Sequence, residues 1–295
     1  AQKSTFEETS YLLLFGELPT SDQLKKFTSK VSEYRDLPEE LVLILKALPK
    51  HTRPMDVLQM AVSSLGTFYD LEVNPEKVKG KEYNDEYFSN TSATLIGALG
   101  SIVAAWHRIR NGDEPISSNP DCTYAENFLH ILGAENITPL MTRIMDATLV
   151  LHGEHTINAS TFTAMVTSST LANASQVVAS AIGSLSGPLH GGANEKVIAM
   201  LQKIESKEEI RPWLDETLKA KNVVWGMGHR EYSVKDPRAN ILTDMVQQLF
   251  DEREGGVTDI FEKAIELEKA CEEKLSHKGV YPNVDFYSGI LYKEM

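Results

Sequence analysis

Cysteine is nearly absent from this chain: Cys122 and Cys271 are the two among 295 residues, and they lie far apart. That excludes a disulfide framework and makes a reducing compartment the default. Positive charge is also scarce, with 29 Lys and Arg against 42 Asp and Glu and a formal net charge of -13. A nucleic-acid partner is therefore not expected, because phosphate binding wants a positive field. An acidic protein that binds anions must gather its arginines and histidines locally. No apolar run reads as long enough for a membrane span, and no charged-then-apolar leader opens the chain. No alternating pattern of useful length marks a strand. Apolar residues at 42% and charged residues at 24% exclude a disordered chain. The expectation is a soluble, mainly α, cytoplasmic protein of one large or two ordinary domains, with no membrane partner.

Helical periodicity runs through most of the chain. Leu24, Phe27, Val31 and Tyr34 form a stripe behind Thr20-Ser21-Asp22, a cap for a helix start. Leu41, Ile44, Leu45 and Leu48 form a second stripe, and Thr52-Arg53-Pro54 opens a third through Val57, Met60, Ala61 and Leu65. Lys77 to Tyr87 is charged and broken and reads as an exposed connection. Ile96, Leu99, Ile102, Val103, Trp106 and Ile109 predict a long buried face ending at Asn111-Gly112.

The stretch Thr156 to Asn194 contains no Asp, Glu, Lys or Arg. Ser175, Ala179, Gly183 and Gly187 recur at four-residue spacing and share a face if the segment is helical. Small side chains there suit close packing, either within one subunit or between subunits. Beyond Asn194 the texture turns charged and amphipathic. These changes predict a larger helical domain over 1–190, a smaller one over 191–290 and, at 291–295, the start of a return to the first.

Three turns carry the candidate chemistry. Gly187-Pro188-Leu189-His190-Gly191-Gly192, Gly226-Met227-Gly228-His229 and Tyr281-Pro282-Asn283-Val284-Asp285-Phe286 each present one ionisable side chain among glycines or beside proline. Asp285 sits between apolar Val284 and Phe286, so desolvation should raise its pKa and make it a better base. A neutral imidazole at His190 could donate to a carbonyl oxygen becoming an enolate. His229 supplies a second imidazole. Arg238 could grip a carboxylate bidentately or pair locally with Asp236. His152 and His155 have a spacing that suits a metal, but no third ligand follows at a recognised spacing, so no metal site is expected. Two histidines and one carboxylate are the parts needed to take a proton from carbon beside a carbonyl.

Four ordered segments together resemble the citrate synthase family, particularly its bacterial type. They are His152-Gly153-Glu154-His155 followed by Asn158 to Phe162, Gly187 to Asn194, Gly228-His229 through Lys235-Asp236-Pro237-Arg238, and Pro282 to Gly289. The resemblance runs along essentially the whole chain. It implies a two-domain helical fold with the active site in the cleft, and condensation of acetyl-CoA with oxaloacetate followed by hydrolysis of citryl-CoA, the entry to the tricarboxylic acid cycle. His190, His229 and Asp285 would be catalytic, His155 and Arg238 would hold oxaloacetate, and Lys278 would meet a CoA phosphate. No cofactor is implied beyond acetyl-CoA as co-substrate, and the partner would be a second copy in a homodimer or larger homo-oligomer. Relatives that take propionyl-CoA, the 2-methylcitrate synthases, share the same motifs; a truncated, non-catalytic assembly paralogue is the other alternative. The family's sequences continue past the Tyr-Ser-Gly segment to further carboxylate-binding arginines. Taken alone, these 295 residues therefore imply weakened dicarboxylate binding and a disrupted dimer surface.

Overall fold

Thr5 and Thr20 open the first two helices with reciprocal capping boxes, each threonine accepting from the third residue of its helix while Glu8 or Gln23 reaches back. The computed structural model describes residues 3–78, 80–154, 156–228, 234–252 and 256–295. It divides into two compact units, Ala1–Gly187 and Pro188–Met295. The first holds α1 (Phe6–Phe15), α2 (Ser21–Ser32), α3 (Glu39–Ala47), α4 (Pro54–Ser64), α5 (Lys81–Asn111), α6 (Tyr124–Leu132), α7 (Pro139–Leu151), α8 (Ala159–Ser168) and α9 (Ala174–Leu185). Pro54 and Pro139 each occupy a first helical turn, where a missing N–H costs nothing. Gly112 closes α5 in the left-handed conformation, as its place after Asn111 predicts.

The core of this unit lies where α3, α4, α5 and α9 meet. Leu41, Leu45, Val57, Ala61, Leu65, Ile102, Trp106 and Ile109 are buried together with Ala179 and Ile182. Fully burying one such large apolar side chain contributes about 1.5–3 kcal/mol. A second cluster gathers Phe27, Val31, Ala93 and Tyr124, with Phe6, Tyr11 and Phe15 packed on it. The small-residue stripe works inside the unit. Ser175 and Ala179 are buried on the face of α9 that packs against α4, and a Cβ at Gly183 would lie 2.8 Å from Gln59 Nε2.

Several sequence expectations need correction. The charged stretch from Lys81 to Tyr87 is not a connection but the opening of the 31-residue α5. Charge does not break a helix when no proline or glycine interrupts it, and Asn84 and Tyr87 anchor this turn through the carbonyls of Val78 and Leu71. Val103 and Ile44 are exposed rather than buried, since each lies about 100° around its helix from a core neighbour, Ile102 or Leu45. Gly187 lies beyond the end of α9 and so drops out of the stripe. Helix residues Asn84–Asn111 are long and apolar enough to cross a membrane, contrary to the expectation, yet 61% of the qualifying window is buried in the protein. That burial marks a core helix.

The second unit holds α10 (Ala193–Gln202), α11 (Ile210–Lys219), α12 (Pro237–Glu252), α13 (Asp259–Leu275) and α14 (Val284–Glu294). α14 is its pivot, packed against α10 and α12 and burying Phe286, Tyr287, Ile290 and Leu291 completely. The described residues contain no strand; the β pairing present is one isolated antiparallel bridge between Met227 and Pro282. That bridge positions the site.

Candidate active site

Asn283 caps α14, accepting the Asp285 amide on Oδ1 at 3.0 Å. Its own amide donates to the Gly226 carbonyl at 2.9 Å and its Nδ2 to the Gly228 carbonyl at 2.8 Å. The Gly228 amide returns a bond of 2.7 Å to the Tyr281 carbonyl. Two of the three predicted turns are thus stitched into one surface. Nothing in the sequence singled out Asn283 for this, although Pro-Asn before a helix start is a capping signal.

Gly226 is required here on two grounds. Its φ is +79°, and an added Cβ would lie 2.8 Å from both Phe286 Cδ2 and Val197 Cγ2. The loop is therefore wedged between α14 and α10. The third turn joins from α10, which begins directly after His190-Gly191-Gly192. A Cβ at Gly289 would stand 3.1 Å from the Asn194 carbonyl oxygen in the first turn of α10. Gly289 is four residues past Asp285, on the same face of α14. The segment following His190 thus packs one turn from Asp285.

Burial dominates the electrostatics of both groups. Asp285 is half-buried, and loss of solvent pushes its carboxyl up to about 6, opposed by Arg238 and reinforced by Asp236. Burial moves the half-buried His190 imidazole down, favouring the neutral ring at pH 7. A carboxylate of raised basicity can take a proton from carbon, and a neutral imidazole can donate to a developing oxyanion.

Arg238 stands in the first turn of α12. Its Nε donates to both Asp236 oxygens at 3.1 and 3.2 Å, and its Nη2 to Oδ2 at 2.8 Å. The local pair that the sequence left open is therefore made, with Asp236 only 1% exposed. The fork fixes the guanidinium plane and leaves Nη1 outside the pair. Asp236 also caps α12 through the Arg238 amide at 2.9 Å. Lys278 is exposed in a short 3-10 turn closed by Gly279. In the first unit, His152 ends α7, its Nδ1 2.7 Å from the Thr148 carbonyl oxygen. His155 and His229 lie outside the described residues.

The family model described as citrate synthase, C-terminal domain, matches residues 1–295. The chain is 42% identical over its full length to the citrate synthase of Synechocystis sp., covering 72% of that protein, and 42% identical to that of Acidithiobacillus ferridurans, covering 76%. Among solved structures, citrate synthase from Thermotoga maritima aligns over 99% of this chain and 74% of its own, with TM-score 0.84 and 34% identity. The ternary complex of Thermoplasma acidophilum citrate synthase with carboxymethyl coenzyme A and oxaloacetate gives TM-score 0.88 at 28% identity, over 99% of this chain and 74% of its own. With the helical fold, the joined turns and these relatives in agreement, the chain belongs to the citrate synthase family.

Proposed function

We propose that this protein condenses acetyl-CoA with oxaloacetate and hydrolyses the resulting citryl-CoA to citrate and CoA, with Asp285 as the base. The observation that carries the base assignment is the Asp285 carboxyl, held by the Asn283 cap at the start of α14 and raised to about 6 by burial. At pH 7 such a group is still about nine-tenths ionised, and it is a stronger base than an ordinary carboxylate. It removes a proton from the acetyl methyl group. His190, neutral, donates a hydrogen bond to the thioester oxygen as the enol forms. The enol carbon attacks the keto carbon of oxaloacetate, whose oxygen takes a proton from His229 and becomes the hydroxyl of citryl-CoA. Water then cleaves the thioester and CoA leaves as the thiol.

Arg238 holds a carboxylate of oxaloacetate in this scheme, its plane set by Asp236, and His155 assists. Lys278 meets a CoA phosphate. No step calls for a metal or a prosthetic group. CoA release with both substrates tests the assignment: acetyl-CoA should turn over faster than propionyl-CoA, and a clear propionyl preference would move the protein to 2-methylcitrate synthesis.

The proposed partner is a second copy of this chain. Among its described residues, α8 buries none, and Phe162, Met165 and Val166 are 62%, 52% and 54% exposed. Apolar exposure of this kind on one helix suits association. Sedimentation of the purified protein should give a dimer or larger species, and a monomer at micromolar concentration would refute it. A cytoplasmic location completes the proposal, supported by the free thiols of Cys122 and Cys271. Recovery in a membrane fraction would overturn it.

A further inference from the structure

Glu268 sits in the charged run of α13, among side chains that read as a solvated face. Its carboxylate does not behave like one. Only 14% of the side chain is exposed, Oε1 pairs with Lys235 Nζ at 2.5 Å, and Oε2 accepts the phenol O–H of fully buried Tyr287. Lys235 immediately precedes Asp236, which forks Arg238. Tyr287 follows Asp285 by two residues on α14. One carboxylate therefore grips both segments of the site from a third element. The direct backbone link between those segments is weak, with the Asp236 amide 3.4 Å from the Pro282 carbonyl oxygen.

We propose that Glu268 is a positioning residue for the condensation, clamping Lys235 and Tyr287 so that the Asp236–Arg238 fork and the Asp285 carboxylate keep a fixed separation; this rests on the roles proposed above for Asp285 and Arg238. A half-buried carboxylate shared by a cation and a phenol is strongly directional, because each bond is charge-assisted. Its charge is also felt locally. The Cys271 thiol, one turn along α13, is pushed up to about 12 by burial and then by Glu268. The groups facing Glu268 are Lys235, Tyr287 and Cys271, and those facing Asp285 are Arg238 and Asp236.

The test uses the full chain with Glu268→Gln, Lys235→Met and the double variant. Turnover, KM for oxaloacetate and the acid limb of the kcat–pH profile are measured, with thermal unfolding as a check on folding. Glu268→Gln should lower kcat about 10–100-fold with the acid limb little moved, since the charges facing Asp285 are Arg238 and Asp236. Lys235→Met should lower kcat in the same way, again with the limb little moved. The double variant should lose no more activity than the worse single, because both changes cut one link. Wild-type kcat in Glu268→Gln, an acid-limb shift that accounts for the lost activity, or losses that multiply would each overturn the clamp. Should Glu268→Gln fail to fold, Tyr287→Phe removes the phenol oxygen alone, and unchanged kcat there overturns it equally. An Asp285→Asn variant with wild-type turnover refutes the base assignment and the clamp with it, whereas the variants above refute the clamp alone.

Discussion

Replacing Asp285 with asparagine should destroy activity and stabilise the fold, and the two effects have one origin. Burial lifts the carboxyl from its ordinary 3.8 to about 6, so the folded protein holds that proton more tightly than the unfolded chain does. Any stability from this group is fully present below pH 3.8 and is lost as pH rises through about 6. Above that, the folded state carries an ionised carboxylate it would prefer neutral, at a cost of up to about 3 kcal/mol, and about 1–2 kcal/mol after allowing for residual solvent contact. Asparagine never ionises, so the variant should be the more stable by about that amount at pH 8 and gain little at pH 4. Urea unfolding followed by circular dichroism at the two pH values measures the gap, and release of CoA thiol should fall about 10²–10⁴-fold. A stability difference that is the same at both pH values would refute burial as the cause. Unchanged turnover would remove Asp285 from the chemistry.

Asp236→Ala leaves the largely buried Arg238 without its fork, and should destabilise the protein by about 3 kcal/mol in thermal unfolding while raising KM for oxaloacetate. Gly226→Ala meets both a left-handed φ and two contacts at 2.8 Å; a loss of about 1–3 kcal/mol, with reduced kcat because the joined turns separate, is expected from unfolding and steady-state assays. His190→Ala removes the proposed enol donor and should cost about 10²–10³-fold in kcat with KM for oxaloacetate little changed.

The helical class and the caps at Thr20 and Gly112 were readable in the chain because each depends on residues a few positions apart. The same locality explains the misreadings. Charged side chains from Lys81 onward looked like a loop because their anchors, Val78 and Leu71, contribute backbone carbonyls that carry no sequence signal. Val103 and Ile44 matched a helical stripe, yet which side of a stripe meets a neighbour depends on how helices pack. Within the site, Asp285 and His190 stood out through their glycine and proline settings, whereas Glu268 was invisible among the glutamates and lysines of α13.

By itself, then, the sequence determined that the protein is helical and that three turns, in a given order, present a carboxylate and two imidazoles. It could do so because capping, periodicity and turn chemistry are short-range. Tertiary structure alone decided that Asn283 stitches two of those turns together, that Glu268 ties Lys235 to Tyr287, and how much water Asp285 loses, enough to raise its carboxyl to about 6. Such pairing and the extent of desolvation arise between residues distant in the chain, so no local pattern encodes them.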